Sequence, residues 1–193
     1  MRYLKLFNEN KETHLKLFDS YNTDIYINSN ILKFGTKNDY INYISTIFPE
    51  SKYSNVFQHQ TNHVFSNFTK EGDGRLGKGY YFSKLGNNYV DDDSFNTKYV
   101  LLNIKNPAYI KGGGYMKMVY NISDNRNLNI DDYNIKIKIR DEVESYFRKN
   151  YDCIIGDENG NLQEEYKVFY TNQIHILGDS IDIEKFKKYL KND

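Results

Sequence analysis

Hydrophobic positions along this chain change period near its first quarter. In Met1–Asn30, Leu15, Phe18 and Tyr21 keep one helical face in an otherwise polar stretch. Thr36 to Asp39 then has the form of a capping box, and Ile41, Ile44 and Phe48 follow at helical spacing until Pro49 forbids continuation. A helix is expected over about Lys37–Phe48. From Asn55 the pattern becomes short and strand-like: Asn55–Gln60, Gly79–Ser83 and Tyr99–Ile104 are rich in Val, Ile, Leu, Tyr or Phe. Glycines at 72, 74, 77, 79 and 86 interrupt this region and allow sharp turns or close approach of backbone to a ligand.

Gly112–Gly114 and the polar span Asn121–Asn134 read as loops. Ile135, Ile137 and Ile139 alternate as one face of a strand, and Val143, Tyr146 and Phe147 share a face of a helix near Arg140–Lys149. Asp152–Gly156 and Tyr166–Tyr170 flank Asn159-Gly160, the strongest hairpin signal in the chain, so two adjacent antiparallel strands are expected. Ile183, Phe186 and Leu190 mark a terminal amphipathic helix. No repeat or low-complexity linker divides the chain, and 193 residues suffice for one well-buried core. The expected organisation is an extension over residues 1–35 and one domain over 36–193.

Composition removes several function classes. Lys plus Arg equals Asp plus Glu at 26 each, so no global field draws the chain to nucleic acid or an anionic membrane. No apolar run approaches the roughly 20 residues that span a bilayer, and a soluble, cytoplasmic protein is expected. The single cysteine, Cys153, excludes an internal disulfide and reads as a buried, inert thiol of a reducing compartment. Nineteen tyrosines and twelve phenylalanines without tryptophan look like genomic bias and are not counted as a base-stacking surface. His63 and His175 complete no metal-ligand spacing with Cys153, and neither HExxH nor CxxC occurs, so no metal is expected.

Three segments carry candidate chemistry: His59-Gln60-Thr61 at a strand end, Gly77-Lys78-Gly79-Tyr80-Tyr81-Phe82-Ser83, and Gln163-Glu164-Glu165-Tyr166 entering a late strand. Taken singly, each has an ordinary structural reading, as a strand-end histidine, a half-buried aromatic strand and a solvated hairpin edge. Gly77-Lys78-Gly79 lacks the ending of a phosphate-cradling P-loop. Their order and spacing together resemble the His–Tyr–Glu signature of ADP-ribosyltransferases related to poly-ADP-ribose polymerases and diphtheria toxin. The likeness is nearest to the small transferase domains in polyvalent proteins of phages and mobile elements. It extends over Thr46–Lys52, Asn103–Pro107, Tyr151–Ile155 and Asn172–Gly178, and runs from about Asn38 to the C-terminus.

That resemblance implies an α+β fold in which two small, mostly antiparallel sheets form a split β-sandwich around an NAD⁺ cleft, flanked by helices. It implies His59 as the ribose-hydroxyl contact, Tyr81 and Tyr89 as the pair enclosing the nicotinamide ring, and Glu165 as the catalytic carboxylate. Gln60, Thr61, Gly79 and Ser83 would line the dinucleotide, with Arg75 or Lys78 meeting its pyrophosphate. Gln163 and Glu164 would line the approach of the acceptor, expected to be a protein. In two respects the chain departs from the family pattern: Gln60 stands where relatives carry glycine, and Tyr89 follows Tyr81 after only eight residues. Gln163-x-Glu165 also mimics the arginine–serine–glutamate toxin branch, although His59 occupies the first-strand position where that branch has arginine. The expected activity is NAD⁺-dependent mono-ADP-ribosyl transfer, with an NAD⁺ glycohydrolase or a catalytically silent NAD⁺-binding module as alternatives.

Overall fold

β-branched and aromatic residues dominate the strands, and which faces they bury decides how the sheet closes. The structure is a computed structural model that describes residues 26–61, 63, 65–85, 96–111, 113–157 and 164–192. Its elements run α1 (Lys37–Ser45), β1 (Phe57–Thr61), β2 (Gly72–Gly74), β3 (Gly77–Lys84), β4 (Asn96–Leu102), β5 (Pro107–Lys111), α2 (Gly114–Asn125), α3 (Tyr133–Asn150), β6 (Cys153–Asp157), β7 (Glu164–Val168), β8 (Ile174–Ile176) and α4 (Ser180–Tyr189). The fold is α+β. One hydrogen-bonded path runs β5-β6-β7-β3-β1-β4-β8, with β2 folded onto β3. Every pairing is antiparallel except β5 with β6, which the α2–α3 crossover joins in parallel.

The path is narrowest in its middle. β1 pairs with β4 over five residues, from Phe57↔Val100 to Thr61↔Asn96, but with β3 only at Phe57↔Lys84 and Gln58↔Ser83. Instead of two separate sheets, two strand groups, β5-β6-β7-β3 and β1-β4-β8, are joined by that short seam. One face of both groups supplies a shared core of Phe57, Val100, Leu102, Tyr80, Phe82, Ile155, Tyr166 and Val168. On the other face, α2 and α3 cover one group through Tyr115, Val119, Ile139, Val143 and Phe147. Helices α1 and α4 cover the other through Tyr40, Tyr43, Ile44 and Phe186 against Leu101. Gln173, in a 3₁₀ turn, ties the strand exits together. Its amide nitrogen donates to the Asn103 and Asp152 carbonyls, and its amide oxygen accepts from the Phe169 and Tyr170 N–H groups.

The capping box forms at Thr36 and Asp39, although α1 ends at Ser45, three residues short of the expected limit. Asn96–Leu102, Cys153–Asp157 and Glu164–Val168 form strands close to the expected spans, and β6 and β7 are antiparallel neighbours. Two expectations fail. Ile135, Ile137 and Ile139 lie in α3, not in a strand, because Ile135, Ile139, Val143 and Phe147 repeat every four residues and Asp132 caps the helix through the Asn134 and Ile135 amides. The span from Gly114 to Asn125, read partly as loop, is helical, with Tyr115, Val119 and Ser123 buried at the same spacing. Tyr26, Ile27 and Ile31, ahead of the expected boundary at residue 35, are buried in the α1–α4 core. Asn159-Gly160 and the face of Leu15, Phe18 and Tyr21 lie outside the described residues. No described helix is long and apolar enough to cross a membrane.

A buried carboxylate fastens α4. Asp182 accepts hydrogen bonds from the hydroxyls of Tyr40 and Tyr43, from His175 Nε2 at 2.6 Å and from the Gly178 amide at 2.7 Å. Burial opposes its charge, but the hydrogen bonds from His175, Tyr40 and Gly178 outweigh it and hold the carboxyl below its ordinary value of 3.8. A carboxyl depressed on folding stabilises the fold above its unfolded value and loses that contribution as the pH falls through the folded one. Asp182→Asn is therefore expected to cost about 3 kcal/mol at pH 7 in urea titrations. The wild type should weaken below about pH 4, where the variant should respond less.

Candidate active site

The candidate site lies where β1 and β3 part. Had their pairing continued, Gln60 would face Tyr81. Instead the Tyr81 carbonyl accepts a hydrogen bond from His59 Nδ1 at 2.8 Å. A carbonyl only accepts, so Nδ1 carries the proton. The imidazole sits among Phe65, Phe68 and Phe82, with ring centroids 5.8, 5.1 and 5.7 Å away. Burial lowers its basicity below the ordinary 6.5, against the pull of the Tyr81 carbonyl, so it is neutral at pH 7. Neutral and protonated on Nδ1, the ring presents a lone pair at Nε2, suited to accepting from a hydroxyl. His59 thus meets the backbone of Tyr81, while its ring packs on the face of Phe82, opposite the ring of Tyr81.

Register places the other candidates together. Ser83 pairs with Glu165 on one side and with Gln58 on the other, and Tyr81 pairs with Lys167. Alternation along the strands therefore sets Tyr81, Ser83, Glu165 and Gln58 on one face, and carries Gln60 to that face as well. Glu165 is half-buried, and its carboxylate takes no hydrogen bond or ion pair from any described residue. Burial raises its pKa above the ordinary 4.5 despite the positive charges of Arg75 and Lys167. The Tyr81 ring lies along β2. A Cβ on Gly74 would fall 2.6 Å from its Cζ, and its hydroxyl donates to the Gly77 carbonyl. Burial, then the Glu165 charge, pushes the phenol far above its usual range. Arg75 is exposed in the β2–β3 turn, and its charge acts on Glu165. Thr61 is half-buried at the end of β1 opposite Asn96.

Several expected roles meet a different geometry. Glu164 lies on the opposite face from Glu165, where its carboxylate pairs with Lys84 at 2.7 Å and accepts from the Tyr166 hydroxyl at 2.6 Å. Gly79 makes room for a protein side chain, because a Cβ there would fall 2.7 Å from Lys167 Cγ. Gly77, at φ +88°, faces Glu144 Oε2 and the Tyr115 hydroxyl, each 2.5 Å from a built Cβ. Lys78 turns to Asp141 at 3.2 Å. Tyr89 and Gln163 lie outside the described residues.

A group that sequence reasoning missed stands beside the site. Lys167 is fully buried, and its ammonium donates to the Leu76 carbonyl at 2.6 Å and to Glu144 Oε2 at 2.8 Å. Glu144 also accepts from Arg148 Nε at 3.0 Å, and Arg148 reaches Glu71 at 2.8 Å. Burial pulls the Lys167 ammonium down to about 8 against the support of Glu144. β7 is a central strand, and α3 covers the face on which Lys167 stands. A cavity of about 350 Å³ opens between the β2–β3 turn and α3, lined by Asp73, Gly77, Lys78, Tyr115, Arg140 and Glu144 among others. A second, of about 280 Å³, follows β8 and includes Phe68, Thr171, His175 and Lys185. Glu165 lines neither.

No family model, curated protein or solved structure matches the chain. The glycine pattern at 77 and 79 thus has an explanation inside the molecule. Gly79→Ala is expected to lower stability by about 1–3 kcal/mol in urea denaturation, because the lysine stem and the Val168 carbonyl, 2.9 Å from the built Cβ, leave no space for a methyl group.

Proposed function

We propose that this chain is an NAD⁺-dependent ADP-ribosyltransferase, with the split-sandwich arrangement expected of that class. The observation that carries the reading is Glu165, a half-buried carboxylate that takes no hydrogen bond or ion pair from the described residues and shares a strand face with Tyr81 and Ser83 where the sheet opens. A carboxylate kept partly dehydrated and unpaired reduces stability, and such an arrangement marks functional sites. The short β1–β3 seam, with His59 spanning the gap, agrees with a cleft between two strand groups.

In the proposed reaction the bond between the ribose C1′ and the nicotinamide nitrogen breaks, and its electron pair leaves with nicotinamide. A nucleophilic oxygen or nitrogen of the acceptor bonds to C1′ and gives up its proton. Positive charge grows on the ribose as the bond lengthens, as in glycoside cleavage. An ionised carboxylate about 4 Å from that charge contributes on the order of 4 kcal/mol at an effective dielectric near 20. Realised only in the transition state, this is about a thousandfold in rate. His59, whose ring lies on the Phe82 face, fixes the Tyr81 carbonyl across the gap in place of a ladder amide. Tyr81, backed by the glycines of β2, offers its ring to the flat base, and Arg75 supplies positive charge for the pyrophosphate. Water as the acceptor would make the same site a glycohydrolase.

Incubation with labelled NAD⁺ and cell lysate tests the reading. Nicotinamide release with label on macromolecules is expected, free ADP-ribose alone selects hydrolysis, and neither product sinks both. Glu165→Gln is expected to reduce kcat about a thousandfold while leaving the Kd for NAD⁺ within about threefold. Because the ionised form is the active one, kcat/KM of the wild type should fall on the acid side, with a midpoint above 4.5. A carboxyl whose pKa is raised on folding destabilises the protein above its unfolded value. Glu165→Gln should therefore raise the thermal midpoint at pH 7. A lower midpoint would mean the carboxylate is a structural group.

A further inference from the structure

The roof over the strand face of Tyr81 and Glu165 is the β2–β3 turn, Arg75-Leu76, and both of its residues and Gly77 after them bear on that face. Arg75 acts on the Glu165 carboxylate through its charge. Leu76 packs on Gly156, the β6 partner of Glu165, where a built Cβ would fall 2.8 Å from both Leu76 methyl carbons. Gly77 accepts the Tyr81 hydroxyl through its carbonyl. Arg140 of α3 pairs with Asp73 of β2, and from the strand beneath one side chain reaches the turn itself. Lys167 is directly opposite Tyr81 and two residues from Glu165, and its ammonium donates to the Leu76 carbonyl at 2.6 Å. Glu144 of α3 grips the same ammonium at 2.8 Å, and Arg148 of α3 donates to Glu71 and to the Lys78 carbonyl on either arm of the hairpin.

We propose that Lys167 is a positioning residue of the transferase site: by pinning the Leu76 carbonyl it sets the height of the β2–β3 turn, and so the placement of Tyr81 and Arg75 about Glu165. The inference rests on the transferase reading for its catalytic consequence and on the hydrogen bonds alone for the pin. The pin is also the nearest fixed positive charge in the strand that carries the catalytic carboxylate, so its loss moves the protonation of Glu165. A lysine that served only to fill volume would be replaceable by methionine without effect on either. Gly79 fits this view, since its missing side chain is what lets the lysine stem cross β3.

The double variant Lys167→Met with Glu144→Met tests this. It keeps the stem against Gly79 and removes both charges together, a replacement that buried ion pairs often tolerate in stability. The thermal midpoint should stay near that of the wild type, whereas amide exchange in residues 72–77 should quicken by about tenfold or more, with β6 and β7 still protected. With NAD⁺ as substrate, kcat should fall between about tenfold and a hundredfold, with KM changed less than about threefold, as misplacement of a reacting group implies. The acid limb of kcat/KM should move to higher pH, because the charge of Lys167 no longer opposes protonation of Glu165. Unchanged turn exchange overturns the pin. Faster exchange with wild-type kcat and an unmoved acid limb reduces Lys167 to a structural residue. A wild type without nicotinamide release sinks the transferase reading, and turn exchange still decides whether the pin exists.

Discussion

An ammonium removed from water on every side must find its acceptors within the protein, and meeting that demand for Lys167 shapes the half of the molecule around β3 and β7. Glu144 must come from α3, a carbonyl must come from the β2–β3 turn, and the strand between must carry glycine where the lysine stem crosses it. The faces of Tyr115 and Phe169 complete the enclosure, with ring centroids 5.6 and 4.8 Å from the ammonium. Breaking such a set by removing one member leaves an unpaired buried charge, far costlier than losing one hydrogen bond. The helix layer, the turn and two central strands are therefore coupled through one side chain.

The opposite situation obtains at Glu165. It lies on the same strand face two residues away, yet no described partner reaches its carboxylate. One carboxylate, Glu144, is fully engaged and serves the fold. The other is half-buried, takes no hydrogen bond from the described residues, and is shifted by burial toward its neutral form. The proposed function rests on this contrast between two acidic groups, one held by the fold and one not. The seam between β1 and β3 adds to it. Where the ladder stops, an imidazole takes over a carbonyl that a backbone amide would otherwise have met, and its tautomer is set by that bond.

Periodicity was legible where packing is one-sided. α1 with its capping box, α4, and the strand pair β6–β7 follow from spacing and caps. It misled at α3, where three alternating isoleucines satisfy a strand rule and a helical rule at once, and only the four-residue repeat continuing to Phe147 separates them. The strands β2 and β8, three residues each, carry too few residues for a pattern, and they exist because their longer neighbours β3 and β4 offer them a ladder. For the site, His59, Tyr81, Ser83 and Glu165 could be named from spacing and resemblance, but Glu164 shows the limit. Adjacent in the chain to Glu165, it points to the other face because strand side chains alternate.

By itself the sequence determined the segments able to form helices and strands, the polar residues that interrupt apolar strands, and the glycines at which no side chain stands. Only the tertiary structure decided what those features are for. It made the glycines at 77 and 79 a passage for Lys167 and a seat for Tyr115 and Glu144, and it made a lysine in an alternating strand the most buried charge of the site. The physical reason is that local pattern reports which face of an element is apolar, whereas burial of a charge depends on what a distant element lays over it. For Lys167 that element is α3, whose Glu144 lies 23 residues earlier in the chain.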